Sequence, residues 1–173
     1  MNKSSIVPLP EFFDRYINLV EQENLIDGLN TALDELENLD WVSLNAIGKQ
    51  VYAENKWTIN EVFQHLIDNE RIQGTRALRI GRGESYLHDG YDENLLASTS
   101  FANNRSLEEM VDEFIYLRRS TIGLFQSFGE NQIQEKGTCS GVEISVLALG
   151  FQIVGHQIHH FNVIKERYYP LLK

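Results

Sequence analysis

In the stretch Gly155-His156-Gln157-Ile158-His159-His160-Phe161, three of the five histidines fall within five residues of what reads as the middle of a long helix. Residues four apart on an α-helix share a face, offset by about 40°, so His156 and His160 point the same way. They continue an apolar row, with Val146, Leu149 and Ile153 before them and Val163 after, and therefore face inward. Two imidazoles on a buried face compete for few hydrogen-bond partners. That competition raises a metal site inside a helical bundle to equal standing with the more ordinary role of a lone histidine, a hydrogen-bonded core residue. His159 lies about 60° to the other side of His156, so a His156/His159 pair is also open. Spacing alone does not choose between them.

A chain of 173 residues fits one domain, 1–173, with a sizeable core, and its hydrophobic fraction of 42% is ordinary for a globular protein. No apolar run approaches the roughly 20 residues of a membrane span. Met1-Asn2-Lys3-Ser4-Ser5 has no apolar segment behind it, so secretion is not expected. The single cysteine, Cys139, excludes an intrachain disulfide and suits a reducing cytoplasm. The net charge of −10 leaves no basic footprint for nucleic acid. Arg71, Arg76, Arg79 and Arg82 recur about once per turn, a pattern that fits a solvated face or partners for bundle carboxylates.

The sequence predicts an all-α protein of four principal helices with long connections and almost no strand signal. The first helix runs from about Pro10 to Asn38 in two pieces. Their apolar phases, Phe13/Ile17/Val20 and Ile26/Leu29/Leu33/Leu36, slip near Glu23-Asn24, where Asn24 can cap. A loop is expected from about Asp40 to Trp57. Thr58-Ile59-Asn60-Glu61 is a capping box that opens the second helix, which runs to about Ile80 before Gly81 and Gly83. His65 sits beside its stripe of Ile59, Val62, Phe63 and Leu66. Residues 81–105 form a connection much longer than the 2–8 residues usual between bundle helices, with a turn of helix around Glu93 to Ala97. A second box, Ser106-Leu107-Glu108-Glu109, opens the third helix, whose stripe is Leu107, Met110, Val111, Phe114, Leu117, Thr121, Leu124 and Phe128. Gly129 to Gly141 reads as a loop. Ser145 caps the fourth helix, which Pro170 stops after Tyr169.

A metal held by His156 and His160 needs a third ligand from another helix, and His65 is the one other histidine on a helix near an apolar face. Three histidines form a neutral site with open positions for water or substrate. His88, in the polar loop, is expected to be solvated. Asp92 and Glu93 are candidates for acid or base chemistry, with turn formation and capping as their alternative role. Asp68 and Glu70 follow His65 but do not repeat its phase. Cys139, between Gly137 and Gly141, is a candidate thiol, although a single loop cysteine is usually incidental. No P-loop, dinucleotide fingerprint, nucleophile elbow or CxxC is present.

An ordered series of motifs carries a resemblance. Lys56-Trp57-Thr58-Ile59-Asn60-Glu61-Val62 leads to His65-Leu66, then Glu70-Arg71, Arg76-Ala77-Leu78-Arg79 and Tyr91-Asp92-Glu93. Leu117-Arg118, Gly137-Thr138, Gly155-His156-Gln157-Ile158-His159-His160 and Arg167-Tyr168 complete it. From about Tyr16 onward the chain resembles the DinB-like family, which includes the YfiT-type metal-dependent hydrolases. Tyr91 is a departure, since Phe is common there in this subgroup. The resemblance implies a four-helix bundle with a crossover and a metal held by His65, His156 and His160, with His159 a neighbour rather than a ligand.

The implied cofactor is a divalent ion, zinc or nickel, since nitrogen-rich sites take either. Relatives include thiol S-transferases, isomerases and hydrolases. The expected function is therefore metal-dependent chemistry on a small molecule, a low-molecular-weight thiol among the substrates, with a homodimer compatible. Loop residues such as Asp92 or Glu93 would shape the pocket. The contrasting class is a non-enzymatic metal-binding stress-response protein. An ordered pocket beside an open coordination position marks the first; a site closed by a protein side chain marks the second.

Overall fold

Wherever the sequence sets a hydrogen-bonding side chain ahead of an apolar stripe, a helix begins. The computed structural model describes residues 1–84 and 87–173. Its helices are α1 (Asp14–Ile17), α2 (Leu25–Glu37), α3 (Trp41–Ile47), α4 (Ile59–Gly81), α5 (Glu93–Thr99), α6 (Leu107–Gln126), α7 (Glu130–Gln134) and α8 (Val146–Val163). Asn24 caps α2 by accepting from the Ile26 amide at 2.9 Å. The Thr58 hydroxyl accepts from the Glu61 amide at 3.2 Å, and the Glu61 carboxylate accepts from the Thr58 amide at 2.8 Å. Ser106 and Glu109 repeat that exchange at α6. Ser145 accepts from the Ala148 amide and starts α8. Each such bond satisfies an amide that the first helical turn leaves unpaired.

The four long helices α2, α4, α6 and α8 form the bundle. Both α4 and α2 pack against α6 and α8, which sets α2 and α4 at opposite corners. The chain therefore crosses between opposite corners from α2 to α4 and again from α6 to α8, whereas α4 and α6 are neighbours. The long stretch from Gly81 to α6 joins these neighbours and returns the chain to the start of α4, where the Asn60 side chain donates to the Ala102 and Arg105 carbonyls.

Three expectations change. The first piece of the first helix shrinks to the single turn α1, because Phe12 takes a left-handed φ of 72° and breaks any helix from Pro10. The Asp40–Trp57 loop contains α3, capped by the Asp40 carboxylate at the Ser43 amide. The Gly129–Gly141 loop contains α7 and a strand. That strand, β2 (Lys136–Cys139), belongs to a small sheet with β1 (Leu87–His88) and β3 (Val142–Ser145), in the order β1-β2-β3. β2 and β3 are antiparallel, Cys139 facing Val142, and join at Ser140-Gly141, with φ values of 52° and 82°. Two successive positive φ values are what a tight hairpin turn requires. β1 runs parallel to β2, with His88 opposite Cys139, and so pins the long crossover to the base of the bundle. At its far end α8 loosens into a π turn over Ile164–Tyr168 and a 3₁₀ turn over Tyr169–Leu172.

The apolar interior divides in two. One cluster gathers Leu25, Leu29, Phe125, Phe128, Phe151 and Val154 beside the sheet. The other gathers Leu44, Ile59, Phe63, Met110, Phe114 and Tyr168. Buried polar residues from α4, α6 and α8 join them, among them Asn69, Gln73 and Gln152. Here the Arg118 guanidinium donates to Glu70 through Nε and Nη2, at 3.0 and 2.7 Å, both residues almost wholly buried. Of the arginine row, Arg71 pairs with Glu113 and Arg79 with Glu84, the carboxylate partnership expected for it. Arg76 instead is buried and donates to the Gln73 side chain.

Candidate metal centre

The cap at Thr58 fixes where α4 starts and so which residues face the neighbouring α8. His65 faces it less than two turns in. On α8, His156 and His160 occupy successive turns of the opposing face. The three rings meet: His65 Nε2 lies 3.1 Å from His156 Nε2, and His160 Nε2 lies 3.2 Å from the same atom. One nitrogen from each of the three falls within 4.8 Å of the others. His65 and His156 are 5% and 4% exposed, and His160 is half-buried.

Aromatic residues hold the rings in place. Trp57, immediately before the α4 cap, lies 4.7 Å from the His65 ring and stacks near His160 at 23°. Tyr16 of α1 meets His156 edge-on at 5.2 Å. That contact depends on Gly155, because a Cβ there would stand 1.9 Å from the Tyr16 carbonyl oxygen. Only a residue without a side chain lets α1 come so close to α8. Nothing in the sequence marks Tyr16, whose partner is some 140 residues away. Trp57 had a signal, its place just before a capping box that aims the helix carrying His65.

Burial keeps the imidazoles neutral. Desolvation is the main cause at each, and the other histidines add to it. His65 is lowered to about 4 and His160 to about 3, while His156 falls well below the usual histidine range. Neutral rings retain the nitrogen lone pairs that a cation needs. Metal–nitrogen bonds of about 2.0–2.1 Å put ligating nitrogens about 2.8–3.4 Å apart for angles between 90° and tetrahedral. The two separations at His156 fall in that interval, so this donor set fits a divalent ion. Among the described residues no fourth histidine, cysteine or carboxylate joins the group.

The other candidates lie elsewhere or do other work. His159 is exposed, with its ring edge-on to Tyr16 at 5.6 Å. Asp92 is the N-cap of α5, its carboxylate accepting from the Asn94 and Leu95 amides, which is the capping role that was its alternative. Glu93 lines a cavity of about 260 Å³ whose wall also includes Trp57, His159 and His160. His88 is not solvated as expected: it is buried in β1, 6% exposed, because pairing with β2 draws the crossover against the bundle. Cys139, opposite it, is fully buried with its thiol pKa raised by desolvation, which makes it a poor nucleophile.

The bundle is similar to a solved structure, that of YfiT from Bacillus subtilis, described as "a probable metal-dependent hydrolase with an unusual four-helix bundle topology". The two agree with a TM-score of 0.68 at 18% identity, over 96% of this chain and 90% of that one. At such identity the likeness speaks to the fold. No curated protein matches the chain. No helix among the described residues is long and apolar enough to cross a membrane. A sequence model of the DinB superfamily matches residues 19–164, a span that holds both histidine-bearing helices and the crossover between them, and the chain belongs to that superfamily.

Proposed function

We propose that this chain is a metal-dependent enzyme acting on a small molecule, with His65, His156 and His160 as ligands of a divalent ion, zinc or nickel. One observation carries the reading: three neutral imidazoles, two buried and one half-buried, converge Nε2 to Nε2, two of the separations being 3.1 and 3.2 Å. Held there, the ion supplies Lewis acidity that activates a small nucleophile, water in a hydrolase or a low-molecular-weight thiol in an S-transferase. The description of YfiT favours hydrolysis.

The chain's own residues do the rest. The neutral ligands leave the cation's charge undiminished, which favours an anionic nucleophile. Trp57 and Tyr16 cover the rings and limit competing water. The cavity beside His160 admits a ligand smaller than the 300–1,000 Å³ of drug-sized sites. Glu93, the candidate acid or base, stands exposed on its wall, whereas the Asp92 carboxylate is held at the α5 cap. An adjoining cavity and the absence of a fourth protein donor among the described residues favour this reading over a purely metal-binding protein.

The test is metal analysis of untagged protein, followed by two activity screens of the metal-free and the zinc- or nickel-loaded forms. One screen pairs low-molecular-weight thiols with a chlorinated aromatic or bimane electrophile; the other is a hydrolase panel. Metal should raise a rate in one of them, and His65→Ala should lose it. No metal-dependent rate in either screen would turn the balance to the non-enzymatic role.

A further inference from the structure

A second cavity, of about 540 Å³, opens between α2, α3 and the C-terminal part of α8, and shares no lining residue with the one beside His160. Its floor is apolar. Phe63 and Phe161 lie there with ring centroids 6.0 Å apart, flanked by Leu44 and Ile164, and Tyr169 closes one side. Its rim carries three carboxylates, Asp34, Glu35 and Asp40, and one ammonium, Lys165. None of the four has a salt-bridge partner among the described residues. Glu37, on the same helix as Asp34 and Glu35, is by contrast paired with Arg119.

We propose that this cavity binds a small organic ammonium ion with an aromatic or branched apolar body. Phe63, Phe161 and Tyr169 line the cavity, and aromatic rings attract a cation through their negative faces. Three carboxylates without a cationic partner, Asp40 also capping α3 and Glu35 accepting from Gln157, stand against a single ammonium and make the entrance net negative, and the volume lies within the range of small-molecule sites. An anionic ligand meets repulsion at the rim. A second copy of this chain is also a poor occupant, because a two-fold contact would set the same acidic rim against itself. The site does not depend on the histidine centre, since its walls use other faces of α4 and α8.

The experiment titrates the full-length protein with 2-phenylethylammonium, 2-phenylethanol and 3-phenylpropionate, followed by calorimetry and by amide NMR shifts. The ammonium ion should bind saturably and about tenfold tighter than the alcohol, as a cation–π contact plus carboxylates would give. The propionate should not bind. The exposed double variant Asp34→Asn/Glu35→Gln should erase the preference for the cation, and Ile164→Trp, which fills the floor, should abolish binding. Equal affinity for alcohol and ammonium, no saturable binding in the millimolar range, or an unchanged preference in Asp34→Asn/Glu35→Gln would overturn the proposal. A concentration-dependent dimer that excludes the ammonium ion would do so too. Should Ile164→Trp fail to fold by circular dichroism, the surface double variant decides alone.

Discussion

His156 has two histidines within reach of its own helix, and the difference between them is one of phase. His160 returns to the same face after one turn, while His159 swings out toward solvent and the edge of Tyr16. Spacing left both pairings open; the position of His65 on α4 favours His160. The proposed ligand set accordingly predicts unequal variants. His160→Ala should lose stoichiometric metal, whereas His159→Ala should keep most of it, with at most the 10–100-fold weakening typical of a neighbouring residue. Equal and complete loss in both, measured by elemental analysis, contradicts the assignment. Gly155 makes a second demand. Alanine there must push α1 away from α8, since its Cβ would fall 1.9 Å from a backbone oxygen. Overpacking of this kind costs about 1–3 kcal/mol or more. Gly155→Ala should lower the urea midpoint and alter the environment of Tyr16 in near-ultraviolet circular dichroism; an unchanged spectrum and midpoint would show that α1 does not need that approach.

At the scale of elements, what could be read from the chain was whatever is encoded locally. The caps at Asn24, Thr58, Ser106 and Ser145 all begin helices at the residues they marked, because each bond spans only two or three positions. The sheet was missed because four-residue strands carry too little pattern. Ser140-Gly141 was its one visible turn signal, and β1 depends on a partner about 50 residues away. The same blindness hid Glu70, which looked out of phase on α4 until α6 brought Arg118 to it. That pair predicts asymmetric mutational costs. Glu70→Gln or Arg118→Met leaves a buried charge unpaired and should destabilise by about 3–5 kcal/mol, whereas Glu70→Leu/Arg118→Met together should recover most of it. Denaturant unfolding of the three variants checks this. If the double variant is as unstable as the sum of the singles, the pair is not what couples α4 to α6.

For the whole molecule, acidification sets two effects against each other. With a net charge of −10 at neutral pH, protonating surface carboxylates relieves self-repulsion and favours the compact state. The histidine centre works the other way. His65 and His160 titrate at about 4 and about 3 in the folded chain, below the unfolded value of 6.5, because burial and the neighbouring histidines disfavour their charge. Between those values and 6.5 the unfolded chain holds protons that the folded chain refuses. Stability therefore rises with pH across that window, is lost as pH falls below 6.5, and takes nothing further from these groups above it. Each group contributes a slope of up to about 1.4 kcal/mol per pH unit. The metal-free protein should accordingly weaken between pH 6.5 and 4.5 by more than a variant in which His65 and His160 are both glutamine, which keeps the same surface charge at pH 7. Comparing urea midpoints of the two proteins at several pH values cancels the carboxylate contribution. Parallel pH profiles would mean that the rings gain protons in the folded state as readily as in the unfolded one, and burial would then not be what keeps their lone pairs available to a cation below pH 6.5.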